Sequence, residues 1–411
     1  MPVNTQATRI FLADRSGNVA MIYALSMLAL FAIAGFAIDF SRGVGAKTSL
    51  QTALDTASLT GAKLLEDSSK TDAEIIAASK AIFRDNLLTA DKGFDCPAAG
   101  VNVDVDRTSK IVRVTADCDL QTTMAAVMNV EQVDIASRSA AKANLTRLDV
   151  AFMFDVSGSM GDPSSGGTGS KLADLKSAAK TAADILVTPS TGNRVRLAFN
   201  TYSTSVNAGI YANKVLGRAD DHVGNTCVSE REGSKKWSDD EPDAGQYLGS
   251  LATNCPSTSI LPLTSDKSGF KTSIDALSAG GMTAGHVGVA WSWYLISPDW
   301  KDVWPAASRP LGYTEPDVIK AVILMTDGKF NTAYASGQGS SASQARKLCK
   351  QMRDEGVIVY AVAFDAPASA ELTLKDCAGV PENYFKATNG SELTEAYRTI
   401  ASRLSGLRLA E

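Results

Sequence analysis

Three regimes of hydrophobic and polar positions follow one another along this chain. From Val19 to Ile38, VAMIYALSMLALFAIAGFAI, twenty residues pass without a charge. At about 1.5 Å per residue that run is long enough to cross the hydrocarbon of a bilayer. It continues into DFSRGVGAKTSLQTALDTASLTGAKLL, where Phe40, Val44, Leu50, Leu54, Ala57, Gly61 and Leu64 recur near helical spacing. The pattern predicts one transmembrane helix that leaves the membrane as an amphipathic stalk. A cleaved secretory signal, with a shorter apolar core and a small-residue cleavage site, is the competing reading.

In the second regime, 39–145, both periods occur. DAEIIAASKAIFRDNLL reads as a helix. Val101, Val103 and Val105 alternate on one side of DRTSK, and Ile111 or Val112 alternates with Val114 on the other, which predicts a β-hairpin. VEQVDIASRSAAKAN can add a strand, so a small α+β membrane-proximal unit without a catalytic grouping is expected. In the third regime, 146–411, near-continuous apolar runs (RLDVAFMFDVS, RVRLAFNTYS, VIKAVILMTDG, VIVYAVAF, then a short NYFKAT) alternate with helical patterns. The helices are KLADLKSAAKTAADIL, a segment around 284–296, SASQARKLCKQMRDEG and SELTEAYRTIASRLSGL. Strands apolar on both faces and separated by helices predict an α/β fold with a doubly wound, mostly parallel sheet, whose ligands sit at the carboxyl ends of the strands. Between Ser203 and Ser265 the rhythm breaks into a polar, turn-rich stretch. It is read as a surface insertion stapled by one disulfide, serving either as a partner surface or as neutral decoration.

Composition narrows the possibilities. The 411 residues are 45% hydrophobic and 21% charged, as in a folded protein. A net charge of −5 and a pI near 5.3 provide no basic footprint for nucleic acid. Two histidines, His222 and His286, are too few for a His-built zinc centre. All six cysteines follow the anchor and fall into local couples, Cys96 with Cys118, Cys227 with Cys255, and Cys349 with Cys377, none in CxxC spacing. Local couples in an even count suit disulfides and an oxidising space outside the cytoplasm. Flanking charge does not set the orientation, because Arg9 and Arg15 oppose Arg42 and Lys47. The expectation is a cytoplasmic tail over 1–18 and an extracytoplasmic remainder.

Candidate chemistry begins at FMFDVSGSMGD, where a buried strand ends on Asp155 and alternation turns Ser157 and Ser159 to the same side. SAGGMTAGHVG places Thr283 after a glycine pair and just before a helix, and VILMTDGKFN ends another apolar strand on Asp327. Hydroxyl and carboxylate oxygens are hard donors that suit Mg²⁺, Mn²⁺ or Ca²⁺. With only two carboxylates, an ion there keeps an open coordination position. Taken singly, each residue could equally cap a loop or a helix. GGTGSKL lacks the Gly-Lys-Ser/Thr order of a phosphate loop. His286 beside Thr283 is expected to pack or hydrogen-bond, and Ser157 has no histidine base in view. Trp291, Trp293, Trp300 and Tyr294 are assigned to core and rim, since no basic surface accompanies them.

Two resemblances extend these readings. RSGNVAMIYALSMLALFAIAGFAIDFSR, residues 15–42, resembles the amino-terminal segment of TadE/TadG-like proteins of tight-adherence (Flp) pilus systems. Processed prepilins usually carry a glutamate five residues after the cleavage glycine; counting from Gly17 this chain has Ile22, which favours an uncleaved, TadG-like member. Asp155-x-Ser157-x-Ser159, then Thr283, then Asp327-Gly328, spread over roughly 146–408, resemble the metal-ion-dependent adhesion site (MIDAS) of von Willebrand factor A domains, a Rossmann-like fold. That resemblance implies Ser157, Ser159 and Thr283 as direct ligands in one state or another. It implies that Asp155 and Asp327 bind Mg²⁺ (or Mn²⁺ or Ca²⁺) directly or through water. A carboxylate from a pilus or cell-envelope protein would fill the open position. The function expected is a non-enzymatic, single-pass inner-membrane component with a periplasmic adhesion domain. The alternatives are a metal-dependent phosphoester hydrolase, for which no general base or second metal site is evident, and a purely structural spacer.

Overall fold

The computed structural model describes residues 17–67, 69–88, 94–143, 146–165, 169–189, 191–219, 224–243, 246–251 and 255–410. Two compact units result, Met1–Ala143 and Asn144–Glu411.

The first unit is organised by α1, Gly17–Leu65, a single 49-residue helix. Its amino-terminal part exposes Leu25, Leu28, Phe31 and Phe36 and reaches a mean hydropathy of 2.3, long and apolar enough to cross a membrane. From Ala46 onward one face is buried through Leu50, Ala53, Leu54, Ala57 and Leu65. That switch from all-round apolar exposure to a single buried stripe is the physical difference between a lipid-facing and a protein-facing helix. Helix α2, Asp72–Leu88, starts at a capping box in which the Thr71 N–H donates to Glu74 (2.9 Å) and the Glu74 N–H to Thr71 Oγ1 (3.3 Å). Strands β1 (Phe94–Asp95), β2 (Val101–Asp106), β3 (Ile111–Gln121) and β4 (Gln132–Lys142) form an antiparallel sheet in which β3 pairs with all the others. The β2–β3 hairpin pairs Val103 with Val114, and alternate residues of β3 are buried, as the period-2 pattern requires.

The second unit is built on β5 (Arg147–Asp155), β6 (Val195–Tyr202), β11 (Val318–Thr326), β12 (Ile358–Phe364) and β13 (Tyr384–Ala387), parallel and in the order β13-β12-β11-β5-β6. Successive residues of β5 feed opposite faces. Phe152 and Phe154 join α3 (Lys171–Leu186), α5 (Lys267–Asp275) and α9 (Gly390–Ala410), while Ala151 and Met153 join α6 (Gly285–Tyr294), α7 (Ser341–Asp354) and α8 (Ala368–Ala378). Helices on both faces account for the continuous apolar runs. Because the chain leaves β5 toward β6 and later returns to β11 on its other side, the strand order reverses at β5. A crevice at the carboxyl ends of β5 and β11 follows from that topology.

The polar stretch 203–265 is not a surface loop. It supplies β7 (Val206–Asn207), β8 (Cys227–Arg231) and β9 (Leu248–Ser250), which extend the sheet antiparallel beyond β6. A short helix α4 (Ala212–Val215) and β10 (Leu261–Thr264), antiparallel to β6, complete it. Strands of two to five residues are too short to declare a period, and Glu230, Arg231 and Asp239 are buried although their composition reads as solvent-facing. Each is engaged by a hydrogen bond: Arg231 donates to the Asp240 carbonyl (2.9 Å), Glu230 accepts from the Tyr334 N–H (2.7 Å) and Asp239 from Tyr313 Oη (2.5 Å). All three cysteine couples are disulfides, Cys96–Cys118, Cys227–Cys255 and Cys349–Cys377. Trp291, Trp293 and Trp300 are buried in the core, where Trp300 stacks on Tyr294 at 4.0 Å.

Candidate metal centre

Asp155 is the last residue of β5, Asp327 directly follows β11, and Thr283 precedes α6. All five residues singled out by sequence meet at this edge of the sheet. The Asp155 carboxylate is fully buried and accepts three hydrogen bonds: from Tyr202 Oη (2.7 Å), Thr326 Oγ1 (2.6 Å) and the Ser157 N–H (2.8 Å). Ser157 Oγ lies 3.3 Å from Ser159 Oγ, and Ser159 donates to Asp327 Oδ1 at 2.8 Å. Two backbone bonds, Gly158 N–H to the Gly281 carbonyl (3.0 Å) and Gly280 N–H to the Val156 carbonyl (2.8 Å), tie the serine loop to the threonine loop. Gly281 adopts φ +88°, a left-handed conformation that a side chain would strain. Asn331 then holds Thr283 in place, accepting its N–H at Oδ1 (3.1 Å) and donating its own N–H to the Thr283 carbonyl (3.0 Å). A Cβ built on Gly328 would sit 3.8 Å from both Ser159 Oγ and Thr283 Oγ1, so these hydroxyls flank one small space that a glycine keeps open.

Sequence reading missed the groups that set the charge here. Lys171 Nζ, on a side chain only 11% exposed, lies 3.2 Å from Asp327 Oδ2 and 3.1 Å from Asp365 Oδ2. Asp365 carried the same signal as Asp155 and Asp327, an aspartate at the end of a buried strand, and Lys171 lies within the GGTGSKL segment, whose residues 166–168 fall outside the described residues. Burial, and then the charge of Asp327, pushes the Asp155 carboxyl above its ordinary range. Burial together with the neighbouring Asp155 charge pushes the Tyr202 phenol well up, so Tyr202 remains a proton donor to Asp155. Burial disfavours the charged Lys171, but Asp327 and Asp365 outweigh it and the ammonium is held above its usual value. The buried Asp327 and the exposed Asp365 thus share a single ammonium at this sheet edge.

His286 lies one turn beyond Thr283 and hydrogen-bonds on both ring nitrogens, Nδ1 to Ser341 Oγ (2.8 Å) and Nε2 to Glu230 Oε2 (2.9 Å). The order Ser341–His286–Glu230 is that of a nucleophile relay, yet Ser341, His286 and Glu230 are 2%, 1% and 6% exposed and the adjoining cavity holds only ≈ 10 Å³. No substrate fits there. The network is a clasp: Glu230 Oε1 also accepts the N–H groups of Tyr334 (2.7 Å) and Ala335, anchoring the loop that follows Asp327 to the polar insertion. His222 lies outside the described residues.

Five oxygen-bearing side chains, two of them carboxylates, with no sulfur or imidazole, form a donor set suited to a hard dication, and the open space beside Gly328 is a cradle that a larger residue would fill. Among the described residues no group of three or more His, Cys, Asp or Glu side chains is placed to hold a metal, so any ion here depends on the hydroxyls as much as on the carboxylates.

Residues 17–64 match the Tad family, TadE/G-like Flp pilus assembly, and residues 305–399 match the von Willebrand factor type A (VWA) domain. The chain joins a TadE/G-like segment to a VWA domain. The Tad match lies within α1, and the VWA match runs through β11 to α9, so it includes Asp327 but begins after Asp155, Ser157, Ser159 and Thr283. Similar solved structures include the vWF domain of the type V pili tip protein Mfa5 from Porphyromonas gingivalis, at 12% identity and a TM-score of 0.39, covering 63% of this chain and 95% of that one. The PilB minor pilin from Streptococcus sanguinis has 12% identity and a TM-score of 0.39, covering 76% and 78%. The pilus adhesin SpaC from Lactobacillus rhamnosus GG has 12% identity and a TM-score of 0.39, covering 76% of this chain; the chain spans only 35% of SpaC. No curated protein matches the chain significantly.

Proposed function

We propose that this chain is a non-enzymatic, membrane-anchored component of a tight-adherence pilus system whose VWA domain, on the periplasmic side of the inner membrane, captures a protein partner through a bound divalent cation. Asp155, Ser157, Ser159, Thr283 and Asp327 would hold Mg²⁺, or Mn²⁺ or Ca²⁺, and the ion would supply a Lewis-acidic position for an acidic side chain of a pilus or envelope protein. The observation that carries this is the convergence of five hard-oxygen side chains, two of them on buried carboxylates, at the strand-order switch. Tyr202, Thr326 and the Ser157 N–H hold Asp155 in one orientation, so its position does not depend on the partner. The hydrolase alternative has no support from His286, whose two nitrogens are engaged away from the site.

The test is affinity capture from cell-envelope extract with the purified full chain in detergent. Wild type in Mg²⁺ is expected to retain a pilus or envelope protein that EDTA elutes, and Asp155→Ala to retain none. Capture that persists in EDTA overturns the proposal. Turnover of phosphoesters that is lost in Asp327→Ala replaces it with the hydrolase.

A further inference from the structure

We infer that the first unit carries a second membrane contact: the segment around the 3₁₀ turn Ala125–Met128 rests in the bilayer interface beside the anchor helix, against phospholipid. This rests on reading 19–38 as membrane-spanning. Asp39, the first charged residue after the apolar run, accepts the N–H groups of Thr123 (3.0 Å), Met124 (2.8 Å) and Ala125 (2.8 Å). Arg42 donates to Thr123 Oγ1. The turn is therefore fixed at the height where α1 leaves the apolar layer.

Its depth follows from one contact. A Cβ placed on Gly35 would come within 2.6 Å of Met124 Cβ, so Met124 packs against the helix backbone three residues inside the end of the apolar run. At about 1.5 Å per residue that is roughly 4 to 5 Å below the level of Ile38. The twenty-residue run spans about 30 Å, the hydrocarbon thickness itself, so there is no slack to lift Met124 into water. Around it Val127 is 85% exposed, Val130 46% and Val133 47%, an apolar patch that water would not favour and an interface would. Between this patch and the helix runs a groove of ≈ 680 Å³ lined by Phe36, Phe40, Val130 and Val133, with Arg42 and Lys47 and the carboxylates of Asp39 and Asp134 also on its wall. The apolar walls match an acyl chain, and the charged residues of both signs sit at the level of a zwitterionic headgroup. Continuity with the anchor selects lipid over a protein occupant.

The experiment uses the full chain in nanodiscs of zwitterionic and anionic phospholipid. No cysteine among the described residues is free, so Val127→Cys, Leu28→Cys and Thr108→Cys each introduce one spin-label site. Collision with oxygen against collision with a water-soluble nickel chelate reads depth. Val127→Cys should show an oxygen-to-nickel ratio several-fold above that of Thr108→Cys in the distal β2–β3 turn, approaching that of Leu28→Cys. A nickel-accessible Val127→Cys with a lipid-buried Leu28→Cys overturns the interfacial contact alone. Shielding of Val127→Cys from both probes also overturns it and assigns the patch to a second copy of the chain. If Leu28→Cys is itself nickel-accessible, the anchor reading fails and the contact with it.

Discussion

Replacing Asp155 by alanine separates the fold of this centre from its ion binding. In the substituted protein Tyr202 Oη and the Ser157 N–H lose acceptors at 2.7 and 2.8 Å, whereas Thr326 Oγ1 keeps the Gly328 carbonyl at 3.1 Å. Tyr202 Oη retains the Met325 carbonyl at 3.5 Å, and the one buried donor left unpaired, the Ser157 N–H, costs about 1 to 3 kcal/mol. Against this, the variant no longer buries a carboxylate next to Asp327, the two causes that push its proton affinity up. The expected loss without metal is about 2 kcal/mol. A ligand at one hundred times its dissociation constant stabilises the folded state by about 2.7 kcal/mol, and only the wild type should gain it. The gap between the two proteins should therefore widen from about 2 kcal/mol in EDTA to about 5 kcal/mol in saturating Mg²⁺. All five tryptophans, Trp237, Trp291, Trp293, Trp300 and Trp304, belong to the VWA unit, so denaturant unfolding followed by tryptophan emission reports that unit within the full chain. An identical gap in EDTA and in Mg²⁺, Mn²⁺ and Ca²⁺ would refute the metal centre.

Two further outcomes follow from the buried charges. Lys171→Met removes the ammonium that shares Asp327, and because a charged hydrogen bond contributes about 1.5 to 3 kcal/mol, calorimetric titration should show Mg²⁺ binding tightened by about tenfold or more; weaker binding would show instead that Lys171 keeps Asp327 in position. Lys320, buried with its Nζ 2.7 Å from the Ile296 carbonyl and 3.6 Å from Asp149, has its pKa lowered from 10.5 to about 8, by burial first. Between those values the unfolded chain binds the extra proton, so this contribution to stability rises with pH by up to about 1 kcal/mol per unit. The stability difference between wild type and Lys320→Met, from denaturation midpoints at pH 8 to 10.5, should grow toward the alkaline end, and parallel profiles would contradict it.

What the chain alone determined is local. The uncharged run 19–38 specifies a helix long and apolar enough to cross a membrane, and the alternation around DRTSK specifies a hairpin. Apolar strands that stop on Asp155 and Asp327 announce the edge where a ligand can sit, because strand period and strand ending are properties of consecutive residues. The tertiary structure decided everything that depends on which ends meet. It folded the polar stretch 203–265 into β7 to β10, since buried Glu230 and Asp239 are tolerable only with partners far away in sequence. It brought Tyr202 under Asp155 and Lys171 onto Asp327, pairings 47 and 156 residues apart that no local pattern encodes. Charge at a buried site is settled by neighbours in space, and those neighbours exist only after β5, β6 and β11 have aligned their ends.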